Sequence, residues 1–169
     1  MQGKMRTILL VLIGSILFSS CFLIYTFKDI SIAPDVKTFY VEEFENNAFN
    51  SPATINQDFT EALRKKIIEE TSLKEDDKNP HVIFSGSIKR YEIVPQAPTP
   101  DGAALNRLNI VVEVSYDNTL HEKENWKKQF SYYSDFPQDQ DLNSVQDALI
   151  RDIFEHILDD VINKAFNNW

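Results

Sequence analysis

The stretch LNRLNIVVEVSYDN, residues 105–118, decides the fold class because its apolar side chains recur at every second position. Successive side chains of a β-strand point to opposite faces of a sheet, so this pattern predicts a strand with one apolar and one polar face. The apolar face carries Leu108, Ile110, Val112, Val114 and Tyr116. The polar face carries Arg107, Asn109, Glu113 and Ser115, with Val111 as its one apolar residue. The stretch therefore predicts a sheet that is covered on one side only.

Three further stretches extend this sheet. WKKQFSYYSDF (126–136) repeats the alternation, with aromatic side chains opposite lysine, glutamine and serine. HVIFSGSIKRYEIV (81–94) alternates less regularly around Gly86, where we expect a bulge or a tight twist. DVKTFYVEEF (35–44) is rich in β-branched and aromatic residues and predicts the first strand of the chain. Antiparallel pairing is expected, because sheets with one solvated face are commonly antiparallel.

Two amphipathic helices provide the cover for the apolar face. The first is predicted to begin at Thr54, where Thr-Ile-Asn-Gln has the pattern of a capping box, and its apolar residues recur every four positions from Ile55 to Ile67. The second begins near Ser144 and carries two apolar rows as far as Phe166, about 22 residues of helix. The order βαβββα predicts an α+β fold, a two-layer α/β sandwich with two helices on one face of a four-stranded sheet.

The amino terminus contains an apolar run, ILLVLIGSILFSSC (8–21), that ends at the single cysteine of the chain. Two basic residues precede the run and a pair of serines closes it, which is the pattern of a secretory signal peptide. Its uncharged part is shorter than the roughly 20 residues that a membrane-spanning helix needs. The run therefore predicts an exported protein.

The position of Cys21 adds an anchor to this prediction. A cysteine directly after small residues resembles the bacterial lipobox, in which the cysteine becomes the lipid-bearing first residue of the mature protein. We expect a lipoprotein signal peptide at 1–20, a lipidated tether at 21–34 attached through Cys21, and a single α/β domain at 35–169. The alternative is a membrane-anchoring helix over about 8–27, with Cys21 a free thiol.

The charge balance argues against nucleic acid as a partner. The chain has 17 Lys and Arg against 26 Asp and Glu, a formal net charge of −9, and loss of Lys4 and Arg6 with the signal peptide would bring it to −11. Proteins that bind nucleic acid neutralise phosphates with clustered basic residues. An anionic ligand of this chain would have to be bound by a local basic cluster.

The sequence shows no arrangement that indicates catalysis or metal binding. HEKEN (121–125) begins like a zinc-protease helix, but Asn125 occupies the position of the second histidine. The acidic residues between Asp135 and Asp141 lack the glycine and glutamate of a calcium-binding EF-hand loop. No cofactor is expected. An enzyme remains the minority alternative, through carboxylates that the fold would have to bring together.

Basic residues on the predicted strands form the candidate ligand site. They are Lys89, Arg90, Arg107, Lys127 and Lys128. If the three strands are neighbours, these side chains could gather towards one end of the sheet as a phosphate-binding patch, with arginine making bidentate contacts. The alternative is that they are solvated or paired with Glu92, Glu113 and Glu124, and the sequence leaves both open.

Several segments taken together resemble a known family. They are SIAPDVKTFYVEEFENNA, FTEALRKK, AALNRLNIVVEV, FSYYSDF, DLNSVQDALIRDI and INKAFNNW, in this order over nearly the whole mature chain. In this order and spacing they resemble the LptE family of lipopolysaccharide-assembly lipoproteins, in the branch found in Bacteroidetes.

The resemblance implies a function as well as a fold. It implies a non-catalytic lipoprotein on the periplasmic face of the outer membrane that plugs and helps assemble the LptD β-barrel and assists lipopolysaccharide insertion at the cell surface. The family fold is a two-layer α/β sandwich, in agreement with the periodicity. The family's lipid A-binding residues do not carry over onto this chain, so the five basic residues are a separate hypothesis. A stand-alone periplasmic lipoprotein that captures glycan or peptide is the alternative.

Overall fold

The computed structural model describes residues 31–97 and 104–167, so the predicted signal peptide, Cys21 and most of the tether lie outside the described residues. Within these ranges the elements are β1 (Thr38–Val41), β2 (Glu45–Asn46), α1 (Ile55–Glu70), β3 (Lys74–Glu75), β4 (Val82–Pro95), β5 (Leu105–Asn118), β6 (Trp126–Pro137) and α2 (Leu142–Phe166). A short 3-10 turn, Glu122–Glu124, joins β5 to β6. The predicted order βαβββα is confirmed, with the two-residue strands β2 and β3 as additions.

The sheet is mixed rather than antiparallel throughout. Its strand order is β3-β1-β4-β5-β6, and β2 also pairs with β4. The pairs β4–β5 and β5–β6 are antiparallel as expected, whereas β1 runs parallel to both β3 and β4 and β2 runs parallel to β4. The antiparallel expectation is therefore wrong for β1. The chain crosses from β1 through α1 and re-enters the sheet in the same direction, which is the geometry that a helical crossover produces.

Of the first predicted strand, 35–44, only β1 (Thr38–Val41) is observed, and strand pairing resumes in β2, just beyond the predicted end. Phe44 lies between β1 and β2 and is 1% exposed. A Cβ on Gly86 would lie 2.7 Å from Cε1 of Phe44 and would also collide with the carbonyl oxygen of Glu113. Glycine at this position therefore allows Phe44 and the neighbouring strand to approach the backbone of β4 closely.

The irregularity expected at Gly86 lies instead at Lys89. The pairing of β4 with β5 shifts by one residue between Ile88 and Arg90, so Lys89 is an extra residue with no partner in the ladder. Lys89 contacts Glu113, and Arg90 is opposite Val111. Both consecutive basic side chains therefore lie on the same face of the sheet.

The helix starts differ from the predicted capping patterns. The Thr54 hydroxyl donates to the Asp58 carboxylate at 3.1 Å and caps no backbone N–H, because Thr54 already has a nearly helical backbone (φ −94°, ψ 0°). α2 starts before Ser144 because the Asp141 carboxylate accepts the N–H of Asn143 at 3.4 Å. An acidic N-cap satisfies an otherwise unpaired helix donor.

Both helices pack on one face of the sheet, as predicted. They run in parallel, since the ring of Phe59 lies 5.0 Å from that of Phe154 and, further along, Lys66 Nζ lies 2.8 Å from a carboxylate oxygen of Asp159. The predicted apolar stripe of α1 is fully buried from Ile55 to Ile67. Among the described residues, one hydrophobic core lies between this helix layer and the sheet.

The alternation in β5 is confirmed residue by residue. Leu108, Ile110, Val112, Val114 and Tyr116 are buried on the covered face, towards the helices. The other side of β4, β5 and β6, which bears Arg107, Asn109, Val111, Glu113 and Ser115 of β5, is the open face. No helix of the described ranges packs on it.

Candidate functional site

The open face holds most of the predicted basic residues, and each of those residues contacts a carboxylate. Glu113 in the middle of β5 receives two of them: its Oε1 lies 3.0 Å from Lys127 Nζ and 3.7 Å from Lys89 Nζ. The hydrogen bond from Lys127 lowers the pKa of Glu113. Two ammonium groups share one carboxylate, so this group of side chains keeps a local excess of positive charge.

Arg90 lies beside this group but is loosely held. Its guanidinium is 3.6 Å from Oε1 of Glu92, too far for a hydrogen bond, and the side chain is 60% exposed. Glu92 instead accepts a hydrogen bond from the side-chain amide of Asn109 at 3.1 Å. Arg90 is therefore the basic side chain of this face best placed to contact a ligand.

Arg107 lies at the far end of the open face, where two contacts hold its guanidinium in place. It makes a bidentate pair with Asp135 at 2.7 and 2.8 Å, and its Cζ lies 3.6 Å from the ring centre of Tyr133. The hydrogen bonds from Arg107 lower the pKa of Asp135. Bidentate pairing and stacking orient the guanidinium, and they leave it fewer free donors than Arg90 has.

The basic residues do not gather at one end of the sheet. Arg107 and Glu113 are six residues apart on β5, about 20 Å at about 3.4 Å per residue. Lys128 is opposite Val114 and therefore lies on the covered face, where its Nζ is 5.0 Å from the ring centre of Phe130. The alternation places neighbouring residues on opposite faces, so Lys127 and Lys128 could not both join the patch.

The pairing with carboxylates that the sequence left open is observed for Glu92 and Glu113. Glu124 does not take part, since it accepts a hydrogen bond from the side chain of Asn118 at 3.0 Å. Phosphate binding by Lys89, Arg90, Arg107 and Lys127 remains a prediction, now for two separate groups on one face.

Sequence reasoning missed an aromatic stack at the edge of the sheet. The ring of Tyr132 lies 4.0 Å from that of His156 on α2 and 5.8 Å from that of Tyr133, and all three rings are nearly parallel. Tyr133 is 47% exposed and continues the stack to Arg107 on the open face. The paired tyrosines in the last strand were the available indication, but adjacent residues normally point apart, so periodicity did not predict their contact.

A second concave surface lies between the two helices. This groove has a volume of about 630 Å³ and a floor that includes Ile150, Phe154 and Leu158. These floor residues are already buried against the core. The rim carries charges of both signs, among them Asp58, Lys66 and Glu155.

The geometry of residues 31–97 and 104–167 also bears on metal binding and on membrane crossing. No cluster of three or more His, Cys, Asp or Glu side chains in these ranges is arranged to hold a metal ion. No helix in them has the length and apolar character needed to cross a bilayer. The carboxyl groups with a shifted pKa, Asp35, Asp76, Glu113 and Asp135, all shift down through hydrogen bonds.

Comparison with known proteins adds a family and a fold. Residues 36–165 match the sequence model of a family described as LptE, lipopolysaccharide-assembly. No curated protein sequence matches the chain significantly.

Solved structures share the fold at low sequence identity. A minor lipoprotein from Acinetobacter baumannii is 12% identical with a TM-score of 0.50, over 76% of this chain and 91% of that one. A hypothetical protein from Chlamydia trachomatis is 10% identical with a TM-score of 0.52, over 78% and 99%. A protein from Xanthomonas campestris is 7% identical with a TM-score of 0.51, over 79% and 87%. At such identities the likeness shows the fold alone.

Proposed function

Because the chain belongs to the LptE lipopolysaccharide-assembly family, we propose that it is an outer-membrane lipoprotein that plugs the LptD β-barrel and helps to assemble it. Membership of this family implies a role in lipopolysaccharide assembly, and the family is non-catalytic. In the proposal, Cys21 carries the lipid anchor on the periplasmic face, and residues 35–169 form the single domain inside the barrel. Assignment to the Bacteroidetes branch belongs to the same proposal.

The open face is the observation that supports this role best. It is polar, and several of its charged groups are paired within the face, as in Arg107 with Asp135 and Lys127 with Glu113. The lumen of a large outer-membrane barrel is polar and contains water. A sheet with one covered and one polar face can stand in such a lumen without exposing its core.

Affinity purification from outer membranes in mild detergent tests the proposed partner. The full chain should retain a large β-barrel protein through washing. A Cys21→Ala variant should lack the mass of the acyl chains and should no longer be recovered in the outer-membrane fraction, because it lacks the proposed attachment site. Recovery of the wild-type chain without any barrel would contradict the plug role while leaving the anchor intact.

Lipopolysaccharide binding is the second part of the proposal, and the two faces of β6 provide matched variants. Reversing the charges of Lys89, Arg90 and Lys127 should weaken binding of purified lipopolysaccharide about tenfold or more, since contacts to charged groups contribute about 1.5–3 kcal/mol each. Lys128→Glu on the covered face should leave affinity nearly unchanged. Equal affinity for wild type and the triple variant would remove the basic patch from the mechanism.

A stand-alone glycan-binding role is the alternative, and Tyr133 is the observation that favours it. An exposed aromatic ring beside Arg107, Asp135 and Asn109 offers a plane and polar groups of the kind that contact sugars. In this role the protein would come through the same purification without a barrel. Tyr133→Ala would then abolish retention on a glycan column, whereas a barrel plug would not depend on it.

A further inference from the structure

The last strand of the sheet, β6, has a long and regular free edge. β6 contains 12 residues and pairs with β5 from Trp126 to Pro137 without a register shift. No described strand pairs with its outer side. Edge strands are usually short, bulged or interrupted by proline, which prevents pairing with other chains. The one proline of β6, Pro137, is its last residue, so the edge can accept another strand.

The pairing with β5 determines which backbone groups point outward. Just beyond the two strands, the N–H of Gln138 donates to the carbonyl of Ala104 at 3.0 Å. In an antiparallel pair such hydrogen-bonded positions alternate with positions that face away. Even-numbered residues of β6 therefore bond to β5, and odd-numbered residues present their N–H and C=O groups to the outside. The outward residues are Lys127, Gln129, Ser131, Tyr133 and Asp135.

The outward residues of β6 can pair with the same residues of a second copy whose β6 runs antiparallel to the first. A two-fold axis at Ser131 places Lys127 opposite Asp135 and Gln129 opposite Tyr133, so every outward residue of one copy is opposite one of the other. Opposite charges across a strand pair are stabilising, and like charges are destabilising. On the covered side the same axis places Phe130 opposite Tyr132 of the other copy, an aromatic pair of the kind that stabilises sheets.

Neighbouring registers are poorer. An axis at Phe130 leaves Asp135 without a partner on the other strand, and an axis at Tyr132 places Lys127 opposite Pro137, which has no N–H to donate. Of these three arrangements, the axis at Ser131 uses all the outward backbone groups.

We propose that β6 is the interface of a symmetric dimer, in which two copies of this chain pair β6 to β6 in antiparallel orientation about Ser131 when no other partner is bound. The two sheets become one continuous sheet with a two-fold axis, the commonest symmetry of protein dimers. Lys127 disfavours an arbitrary strand at this edge, but it faces Asp135 in a second copy. The proposal does not depend on the LptD role.

Disulfide formation in the full-length chain, purified alone in detergent, tests the interface and its register. Ser131→Cys would meet its own copy at a Cα separation of about 5.5 Å, within the range of a disulfide. Lys127→Cys lies on the same edge, but its copy would be about 27 Å away. After air oxidation we expect a covalent dimer from Ser131→Cys and none above the wild-type level from Lys127→Cys. Wild type reports any linkage through Cys21.

Two outcomes of this experiment overturn the dimer. If Ser131→Cys yields no covalent dimer, the edges do not meet at Ser131. If both variants cross-link equally, the contact is unspecific. In outer membranes, a Ser131→Cys chain that links only to a barrel protein, while the isolated chain is monomeric, would assign this edge to the barrel instead of a second copy.

Sedimentation of Ser131→Pro provides an independent measurement. Proline removes an N–H that does not bond to β5, and proline is tolerated where an edge N–H faces solvent. The dimer dissociation constant should rise more than about tenfold, whereas Ser131→Thr should keep the wild-type value. An unchanged dissociation constant in a folded Ser131→Pro variant would contradict the proposed interface.

Discussion

At the scale of single residues, the contact between His121 and Asp35 ties the start of the described domain to the turn after β5. Nε2 of His121 lies 2.9 and 3.1 Å from the two carboxylate oxygens of Asp35. The hydrogen bond to Asp35 raises the pKa of His121 above 6.5, and the same bond lowers the pKa of Asp35 below 3.8. Both side chains are accessible to solvent, so each group can gain or lose its proton as the pH changes.

This contact predicts a dependence of stability on pH. Because the folded-state pKa of His121 is raised, its stabilising contribution is complete below about pH 6.5 and is lost as the pH rises through the folded-state pKa. On the acid side, the contribution of Asp35 is present above about pH 3.8 and is lost as the pH falls through its lowered pKa. NMR titration of the His121 ring should show a pKa that falls in Asp35→Asn. An identical pKa in both proteins would contradict the ion pair.

At the scale of elements, the long and strongly periodic segments were predictable and the short ones were not. The predicted bounds of β5 are those observed, because its alternation extends over the whole strand. β2 and β3 have two residues each, too few to show a period, and their existence depends on hydrogen bonds to β4 and β1. The direction of β1 depends on the path through α1, which no local pattern records.

The candidate site was predictable in part for the same reason. Strand alternation placed Arg107 and Lys127 on the open face from the sequence alone. The place of Lys89 depends on a bulge that the pattern put at Gly86, because a glycine within a strand is the usual mark of a bulge. The ion pairs depend on which carboxylate lies across the strand, and they required the register.

Two phenylalanines, one buried on a helix and one exposed in a loop, give a matched test of helix packing. Phe154 on α2 is 5% exposed and packs edge-to-face on Phe59, so Phe154→Ala should lower the free energy of unfolding by about 3–5 kcal/mol. Phe49 is 84% exposed, and Phe49→Ala should change the free energy of unfolding by less than about 0.5 kcal/mol. Urea denaturation measures both. A small loss for Phe154→Ala would mean that the two helices are not packed through these rings.

At the scale of the whole molecule, the two layers predict that adjacent valines of β5 contribute unequally to the free energy of unfolding. Val112 on the covered face is fully buried, and Val112→Ala should cost about 2–3 kcal/mol of stability. Val111 on the open face is partly exposed, and Val111→Ala should cost less than about 1 kcal/mol. Thermal or urea unfolding of the isolated chain checks the pair. Equal losses would mean that a second layer covers the open face.

The shift between Ile88 and Arg90 also bears on how β4 tolerates changes in length. Lys89 has no pairing partner on β5. Deleting Lys89 would therefore leave an uninterrupted ladder in which Arg90 still pairs with Val111 and Tyr91 still pairs with Ile110. Deleting a residue in the middle of the run from Val82 to Ile88 would instead move the side chains on one side of the deletion to the opposite face of the sheet. Position 89 is therefore the point of β4 where this chain can lose one residue without turning the sheet's interior towards water.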